Sequence, residues 1–465
     1  MRREFRDDWS GKRVAVIGLG VSNMALIRFL KKNGAEISGR DHKTSSELGE
    51  RLGELQALGI ELVLGPPYLM GLTDFDVVVV SPGVPKDLLE LKEVEKLGRL
   101  QSEIALVFRY SQGPIYGITG SSGKTTTTSL TGEILKESKL PAYVGGNIGV
   151  PLIDQIEQIC PDDRVVLELS SFQLEGLQQS PHGAVITNIT QNHLDVHHTM
   201  ENYIMAKENI YRHQEAGDFV VLNYDDPKTR AMAKDAPGRV FFFSLTSKVS
   251  QGAYLDGDDI VYADGTGQFT FAKRSELALP GEHNVANFLA STVLAHGAGA
   301  CLEAARQVGK TFAGVPHRLE LVGVVEGVRY YNDSIATTPD RTLAALRSFE
   351  APLILIAGGS DKQLSFAELG EAIHRRVKHL ILVGTTAAKI RQAVLVAGGV
   401  SLDEVEDLGE AVALARRLGE PGDVVLLSPA SASYDQYENF MARGQHFRDL
   451  VARLEQRIGS RRRSR

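Results

Sequence analysis

The chain has 465 residues, which at roughly 150 residues per domain predicts about three domains. Its 51 Lys and Arg against 58 Asp and Glu give a net charge of −7, which argues against a general affinity for nucleic acid or anionic membranes. Two cysteines cannot build a disulfide framework, and no run of about 18 apolar residues occurs, so we expect a soluble, cytoplasmic protein without membrane insertion.

The predicted elements follow the strand–helix rhythm of βαβ units, which indicates an α/β fold with parallel sheets. This rhythm starts three times, with predicted strands at 13–18 and 76–83, then at 114–120, 165–169, 184–188 and 218–223, then at 352–357, 379–383 and 423–427. A charged helix is predicted at 87–97 and short hairpins at 241–271. We therefore place the domains at 1–102, 103–314 and 315–465.

The sharpest motif is Gly117-Ile-Thr-Gly-Ser-Ser-Gly-Lys-Thr, between an apolar strand and a helix predicted to begin near Thr125. Its glycines, Gly120 and Gly123 among them, let backbone N–H groups curl around phosphate oxygens. Lys124 can reach the terminal phosphates, and the Thr125 hydroxyl can bind Mg²⁺. Five residues, instead of the usual four, separate Gly117 from the Gly-Lys pair. The alternative to a phosphate-binding loop is an incidental Gly/Ser turn. The strand and helix on either side favour ATP binding.

A nucleotide site of this kind needs an acidic metal partner at a neighbouring strand end. Glu168 stands at the end of the predicted strand 165–169 and is our candidate, the alternative being a glutamate that faces water. His193 follows the next strand, although a loop histidine taken alone is more often structural.

A second glycine loop, Gly18-Leu-Gly-Val-Ser-Asn, follows the first predicted strand, and Asp41 lies 21 positions after Gly20. This spacing is close to a dinucleotide fingerprint, but Asn23 replaces the third glycine. A dehydrogenase would need a hydride-receiving site, whereas the next domain offers an ATP loop. We therefore interpret the first domain as a Rossmann-like holder of a nucleotide substrate.

Several segments together resemble the Mur ligase family of peptidoglycan precursor synthesis, over nearly the whole chain. They are Thr119-Gly-Ser-Ser-Gly-Lys-Thr-Thr, Gly145-Gly-Asn-Ile-Gly, Glu168-Leu-Ser-Ser-Phe-Gln-Leu, Thr187-Asn-Ile, His193-Leu-Asp, Ala206-Lys207, Gly281-Glu-His-Asn-Val-Ala-Asn, His317-Arg318 and Asn332-Asp-Ser. The resemblance implies a Rossmann-like first domain, a P-loop ATPase-like central domain with a mixed sheet and a Rossmann-like third domain.

Within the family, the third-domain segments look like those of members that add D-glutamate to UDP-N-acetylmuramoyl-L-alanine. These segments are Asn332-Asp-Ser-Ile-Ala-Thr, Gly358-Gly-Ser-Asp-Lys and Leu427-Ser-Pro-Ala-Ser-Ala-Ser-Tyr-Asp-Gln-Tyr. A ligase for a different amino acid is one alternative. A nucleotide-binding regulator that holds RNA with its Arg-rich tail is another. We expect small-molecule substrates, no nucleic acid and a monomer.

The resemblance implies an ATP-dependent amide ligase that works through an acyl phosphate, with two Mg²⁺ ions. Lys124, His193 and Lys207 would be catalytic, and Lys207 would react with CO₂ to form a carbamate that binds metal. The implied metal ligands are Thr125, Glu168, His193 and Lys207. The implied ATP contacts are Gly120, Gly123, Lys124, Thr125, Thr126, Asn287, Arg318 and Asp333.

The remaining implied contacts are to the two other substrates. The UDP-sugar would lie against Val21, Ser22, Asp41, Gly83 and Asn147, and D-glutamate against Thr337, Lys362, Ser433 and Phe440. Two positions depart from the family pattern. Ile335 stands where many relatives have lysine, which removes a cation near Asp333, and Asn192 stands where an aspartate commonly precedes the histidine.

Overall fold

The computed structural model describes residues 5–48, 50–147, 151–191, 194–279, 281–349, 351–361 and 364–463. The chain forms two compact units, Met1–Phe312 and Ala313–Arg465. The first unit contains two sheets and the second unit one, which confirms the predicted α/β class. Within the described residues, no helix combines the length and the apolarity needed to cross a membrane.

The first sheet has five parallel strands in the order β3-β2-β1-β4-β5, which is the Rossmann order without the sixth strand. Its central strands are buried apolar runs, as expected for a parallel sheet covered on both faces. The strands are β1 (Arg13–Ile17), β2 (Glu36–Asp41), β3 (Glu61–Leu64), β4 (Val77–Val80) and β5 (Leu100–Gln101). The helices are α1 (Phe5–Trp9), α2 (Val21–Lys32), α3 (Ser45–Leu48), α4 (Glu50–Ala57), α5 (Leu89–Lys96) and α6 (Glu103–Tyr110).

The central sheet has nine strands in the order β14-β13-β12-β11-β10-β9-β6-β8-β7. They are β6 (Ile115–Thr119), β7 (Ala142–Gly146), β8 (Arg164–Glu168), β9 (Gly183–Ile186), β10 (Phe219–Asn223), β11 (Arg239–Ser244), β12 (Gln251–Asp256), β13 (Asp259–Asp264) and β14 (Gln268–Lys273). The accompanying helices are α7 (Lys124–Glu137), α8 (Ser171–Leu174), α9 (Leu194–His197), α10 (Met200–Arg212), α11 (Pro227–Ala231), α12 (Glu282–Gly297) and α13 (Leu302–Thr311).

The hairpins predicted in this sheet are present between β12 and β13 and between β13 and β14, where the pairing is antiparallel. The preceding pair differs, because β11 runs parallel to β12 and extends the parallel part of the sheet. The sheet is therefore mixed, as the family resemblance implies.

The sheet of the second unit has six strands in the order β15-β16-β20-β17-β18-β19, of which only the edge pair β15–β16 is antiparallel. The strands are β15 (Glu320–Val325), β16 (Val328–Asn332), β17 (Leu353–Ala357), β18 (Val377–Val383), β19 (Leu402–Val405) and β20 (Val424–Leu427). The helices are α14 (Pro339–Leu346), α15 (Ala367–Arg376), α16 (Ala387–Val396), α17 (Leu408–Leu418) and α18 (Phe440–Arg463).

Candidate functional site

The phosphate-loop motif connects β6 to α7, which begins at Lys124, one residue earlier than predicted. Two of its glycines have positive φ, +147° at Gly120 and +81° at Gly123. A Cβ at Gly120 would lie 1.9 Å from Oγ1 of Thr187, and one at Gly123 would lie 2.3 Å from Oδ1 of Asn287. Both positions therefore require glycine for their backbone angle and for the close approach of a neighbour.

Two lysines meet at one carbonyl of this loop. Nζ of Lys124 donates to the Gly120 oxygen at 2.9 Å, and Nζ of Lys207 donates to the same oxygen at 3.0 Å. Lys207 lies on α10 and is only 1% exposed. Burial lowers its pKa well below the usual value, and the nearby charge of Lys124 lowers it further, while Glu168 acts in the opposite direction. The two predicted catalytic lysines thus share one site.

Glu168 ends β8 and pairs in register with Ile118, so its carboxylate lies at the same sheet edge as the phosphate loop. Its side chain is almost fully buried. Oε1 accepts a hydrogen bond from Nδ2 of Asn147 at 3.0 Å, whereas Oε2 is buried and has no hydrogen-bond partner among the residues that the structure describes. A buried carboxylate oxygen is costly unless it is paired or binds a cation. This unsatisfied oxygen fits a metal ligand.

The other predicted residues around the loop occupy consistent places. Thr125 is buried and Thr126 half-buried on the first turn of α7. Asn287 is buried on α12, and its Oδ1 accepts from the hydroxyl of Thr127 at 3.4 Å. Within the described residues, no group of three His, Cys, Asp or Glu side chains is assembled. His193, with Asn192 before it, lies outside the described residues.

Two residues that were not predicted to belong to the site contact the phosphate loop: Asn188, which follows β9, and Tyr203, on α10. Oδ1 of Asn188 accepts from the N–H of Ser122 at 3.0 Å, and its Nδ2 donates to the Ser122 carbonyl at 3.1 Å. The Tyr203 hydroxyl lies 3.0 Å from Oγ of Ser121, and the Tyr203 ring lies 4.8 Å from Nζ of Lys207. Asn188 stands in the Thr187-Asn-Ile motif that carries the family resemblance, which is the signal that would have found it, whereas Tyr203 lies three residues before the Ala206-Lys207 motif and has no such signal.

The glycine loop of the first sheet is built around Asp41, the last residue of β2. Its carboxylate accepts hydrogen bonds from the N–H groups of Leu19 at 2.7 Å and Lys43 at 3.0 Å. Asn23, where a third glycine was expected, is buried and donates to the carbonyls of Ile17 and Gly18 at 3.0 and 2.8 Å. The asparagine therefore ties α2 to the loop by hydrogen bonds instead of by close backbone packing.

Of the other residues assigned to the UDP-sugar, Ser22 and Gly83 lie at the same edge of the first sheet, whereas Asn147 follows β7 of the central sheet, beside Glu168. Ser22 is half-buried in the first turn of α2, and Gly83 is exposed in the loop after β4. That loop packs on the glycine loop, because the Ser81 N–H donates to the Ile17 carbonyl at 2.9 Å and a Cβ on Gly18 would lie 2.8 Å from the Ser81 Cβ. Val21 begins α2, but its side chain lies outside the described residues.

In the second unit, Asp333 follows β16 at the carboxyl edge of the sheet. Its Oδ2 accepts from the Ser428 hydroxyl at 2.7 Å and its Oδ1 from the Leu319 N–H at 3.2 Å. Burial raises the pKa of Asp333 to about 7, although these hydrogen bonds and the charges of Arg318 and Arg341 act in the opposite direction. Arg318 itself is exposed.

A cation is present near Asp333 although Ile335 replaces the lysine of many relatives. Nη1 of Arg341, on α14, donates to the Ile335 carbonyl at 3.1 Å. Because Arg341 also lowers the pKa of Asp333, its guanidinium supplies positive charge near the position where relatives place lysine.

Of the residues assigned to D-glutamate, Thr337 and Ser433 lie on two loops that one buried arginine joins, and Phe440 begins α18. Arg443, on α18, donates four hydrogen bonds of 3.0–3.1 Å to Oγ and the carbonyl of Ser334 and to the carbonyls of Ser431 and Ala432. Ser433 is buried beside these acceptors, Thr337 is half-buried, and the Phe440 carbonyl accepts from the Ser334 hydroxyl at 2.8 Å. Lys362 lies outside the described residues.

The fold and the phosphate loop define an α/β nucleotide-binding protein of the P-loop class. Three family models match the chain: the N-terminal domain of MurD-like Mur ligases at residues 12–100, the Mur ligase middle domain at 118–295 and the Mur ligase glutamate ligase domain at 317–431. The chain belongs to the Mur ligase family, as its motifs predicted, and it is a ligase.

Curated relatives match over nearly their full length. The chain is 47% identical to the UDP-N-acetylmuramoylalanine–D-glutamate ligase of Symbiobacterium thermophilum, over 95% of this chain and 98% of that protein. It is 45% identical to the enzyme of the same name from Clostridium kluyveri, over 97% and 99%.

Among solved structures, the chain resembles the UDP-N-acetylmuramate-alanine ligase of Thermotoga maritima, with a TM-score of 0.54 and 20% identity over 94% of this chain and 98% of that one. It also resembles the MurF ligase of the same organism in complex with ADP, with a TM-score of 0.51 and 18% identity over 98% of both chains. At this identity the similarity shows the fold alone.

Proposed function

We propose that this ligase adds D-glutamate to UDP-N-acetylmuramoyl-L-alanine at the expense of ATP, in peptidoglycan precursor synthesis. The observation that carries the proposal is a cluster of three features at one edge of the central sheet. They are the phosphate loop, the buried Glu168 oxygen without a described partner and the buried Lys207. The choice of substrates is supported by the names of relatives at 42–47% identity over nearly the whole chain. ATP is supported by the phosphate loop and by the ADP bound to a family member of similar fold.

In the proposed reaction, the alanine carboxylate attacks the γ-phosphorus of ATP, and ADP leaves. The amine of D-glutamate then attacks the acyl carbon of the resulting acyl phosphate, and phosphate leaves with the amine proton. The first step brings two anions together, so the site must supply positive charge and fixed geometry. Lys124 is positioned for this role at the start of α7, where the helix N-terminus adds its own positive end.

The chain's residues fit a divalent cation beside this loop. Glu168 would hold it through the oxygen that lacks a partner, together with the Thr125 hydroxyl, and His193 is proposed as a ligand of the second ion. When bound, Mg²⁺ neutralises charge that develops on the transferred phosphoryl group. Asn147 donates a hydrogen bond to the other Glu168 oxygen, Oε1, which leaves Oε2 for the cation.

Carbamylation of Lys207 is also part of the proposal. The neutral amine would attack CO₂, forming an N–C bond and releasing one proton to solvent. The buried position of Lys207 and the neighbouring Lys124 ammonium favour the neutral amine that this reaction requires. We expect a carbamate signal in ¹³C NMR with labelled bicarbonate, absent in Lys207→Ala and retained in a control at the exposed Lys136. Activity unaffected by Lys207→Ala and by CO₂ depletion would contradict the assignment.

The substrate contacts stay predictions at single-residue level. We propose that domain 1–102 binds the UDP-sugar, with Asn147 as a further contact from the central domain, that 103–314 binds ATP and that 315–465 binds the amino acid. Their support is position, because those that the structure describes lie mainly at or near strand or helix ends, where open α/β sheets bind ligands. Asn287, Arg318 and Asp333 are proposed ATP contacts on the same terms.

The test is an assay of phosphate release by the purified chain with ATP, Mg²⁺, UDP-N-acetylmuramoyl-L-alanine and a panel of amino acids. We expect release with D-glutamate and its loss in Lys124→Met, while Lys136→Met, a change at an exposed lysine of the same helix, behaves as wild type. Release with L-lysine or meso-diaminopimelate instead of D-glutamate would contradict the proposed substrate. Full activity of Lys124→Met would contradict the site.

A further inference from the structure

Lys86 reaches from the first sheet to the central one. It lies in the loop between β4 and α5, and its Nζ donates to the carbonyl oxygens of Phe172 at 3.0 Å and Glu175 at 2.5 Å. These carbonyls belong to the short helix α8 and to the residue that ends it. α8 begins three residues after Glu168, so Lys86 binds the part of the chain that directly follows the candidate metal ligand.

The contact of Lys86 is more than an exposed side chain resting on a neighbour. The residue is half-buried, and loss of hydration lowers its pKa, while Glu175 and Glu95 act in the opposite direction. Hydrogen bonds from a charged donor are stronger than those between neutral groups. Two such bonds therefore hold the ammonium against α8.

From α8 a chain of packed side chains continues to the phosphate loop. The Phe172 ring stacks on His197 at 5.2 Å, and Nε2 of His197 lies 2.9 Å from Oγ of Ser171. His197 in turn lies 5.4 Å from the Tyr203 ring, whose hydroxyl contacts Oγ of Ser121. The helix α8, which Lys86 contacts, is thus connected through His197 and Tyr203 to Ser121 of the phosphate loop.

At its other end, Lys86 is three residues from Gly83, in the loop that packs on the glycine loop of the first sheet. That loop is the one proposed to contact the UDP-sugar. The reacting carboxylate must approach the γ-phosphorus to roughly 3–3.5 Å, and a displacement of 1 Å at a distance from the chemistry can cost about 100-fold. The spacing between the two loops therefore matters for the rate.

We propose that Lys86 is a positioning residue that fixes the UDP-sugar loop relative to the phosphate-loop edge. This inference rests on the proposed function, because it takes the UDP-sugar and ATP as the ligands of the two loops. It assigns Lys86 no contact with either substrate.

The experiment compares wild type with Lys86→Met, which keeps most of the aliphatic stem but removes the donor, and with Lys86→Arg, which keeps two or more donors. Lys92→Met, at an exposed lysine of α5, is the matched control. We expect Lys86→Met to lower kcat/KM for the UDP-sugar about tenfold, in line with the loss of charged hydrogen bonds. The KM for ATP should stay within twofold, and Lys86→Arg should recover most of the loss.

Wild-type kinetics in Lys86→Met would overturn the inference, as would an equal rise in the KM for both substrates or a loss matched by Lys92→Met. If Lys86→Met does not fold, Lys86→Gln is compared in the same way. A melting temperature unchanged from wild type separates positioning from general destabilisation. Wild type that releases no phosphate from ATP with these substrates would refute the proposed function, whereas the Lys86 inference fails only against an active wild type.

Discussion

Replacing Asp333 with asparagine should stabilise the second unit at neutral and alkaline pH. Burial raises the pKa of this carboxyl from an ordinary 3.8 to about 7. In the unfolded chain the group loses its proton near pH 4, whereas in the folded chain it holds the proton until about pH 7. Stability attributable to Asp333 is therefore fully present below pH 4 and is lost as the pH rises to 7.

The size of this effect follows from the same shift. A rise from 3.8 to about 7 corresponds to about 4 kcal/mol in favour of the protonated form, and an effective interior more polar than a dry medium leaves about 2 kcal/mol as the expected gain. For a unit of this size, that gain is about 4–8 °C in Tm. Asparagine keeps an acceptor for the Leu319 N–H and offers an N–H to Ser428.

The assay is calorimetry of the full chain at pH 5 and pH 8, in which the melting temperatures of wild type and variant are compared. Asp333→Asn should melt higher than wild type at pH 8 and show a smaller difference at pH 5. Asp449→Asn, at an exposed position of α18, should follow wild type at both pH values. An Asp333→Asn variant that melts at or below the wild-type temperature at pH 8 would refute the reasoning from burial.

Three further predictions concern the first unit. Gly120→Ala should weaken binding of a fluorescent ATP analogue at least tenfold, because its Cβ would lie 1.9 Å from Thr187 Oγ1, while Gly53→Ala, with open space around it, should bind as wild type. Glu168→Gln should abolish Mg²⁺-dependent phosphate release without lowering Tm, since it removes a buried charge with one unsatisfied oxygen; retained activity at ordinary Mg²⁺ would contradict this. Asn23→Ala should cost about 1–3 kcal/mol of unfolding free energy and raise the KM for the UDP-sugar, because two loop carbonyls lose their donor; an unchanged urea midpoint would count against the role.

The parts of the fold that sequence predicted are those with a local signal. The apolar runs of β1, β4 and β6 and the glycines before α2 and α7 identify strand, loop and helix without knowledge of distant residues. The parallel pairing of β11 with β12 has no such signal, because a strand looks the same whether its neighbour runs parallel or antiparallel. The hairpin prediction therefore failed only at that pair.

The site divides in the same way. Lys124 and Glu168 were found from a motif and a strand end. Asn188 acts on a residue 66 positions away and Lys86 on residues 86 and 89 positions away, so their contacts arise from tertiary packing. Arg341 lies only six residues from Ile335, and it was missed because no motif marks its guanidinium as a donor to the Ile335 carbonyl.

The buried guanidinium of Arg443 bears on how substrate preference can change in descendants of this chain. Its four bonds hold two loops through three carbonyls and the Ser334 hydroxyl, while Thr337 and Ser433 on those loops and Phe440 at the start of α18 contribute no side-chain acceptor to it. Exchanges at these three positions, which we propose to contact the amino acid, leave the arginine's partners intact, so new amino-acid preferences can arise there at little cost in folding. Exchange of Arg443 itself leaves four acceptors without their donor, so the two loops lose the contacts that fix them.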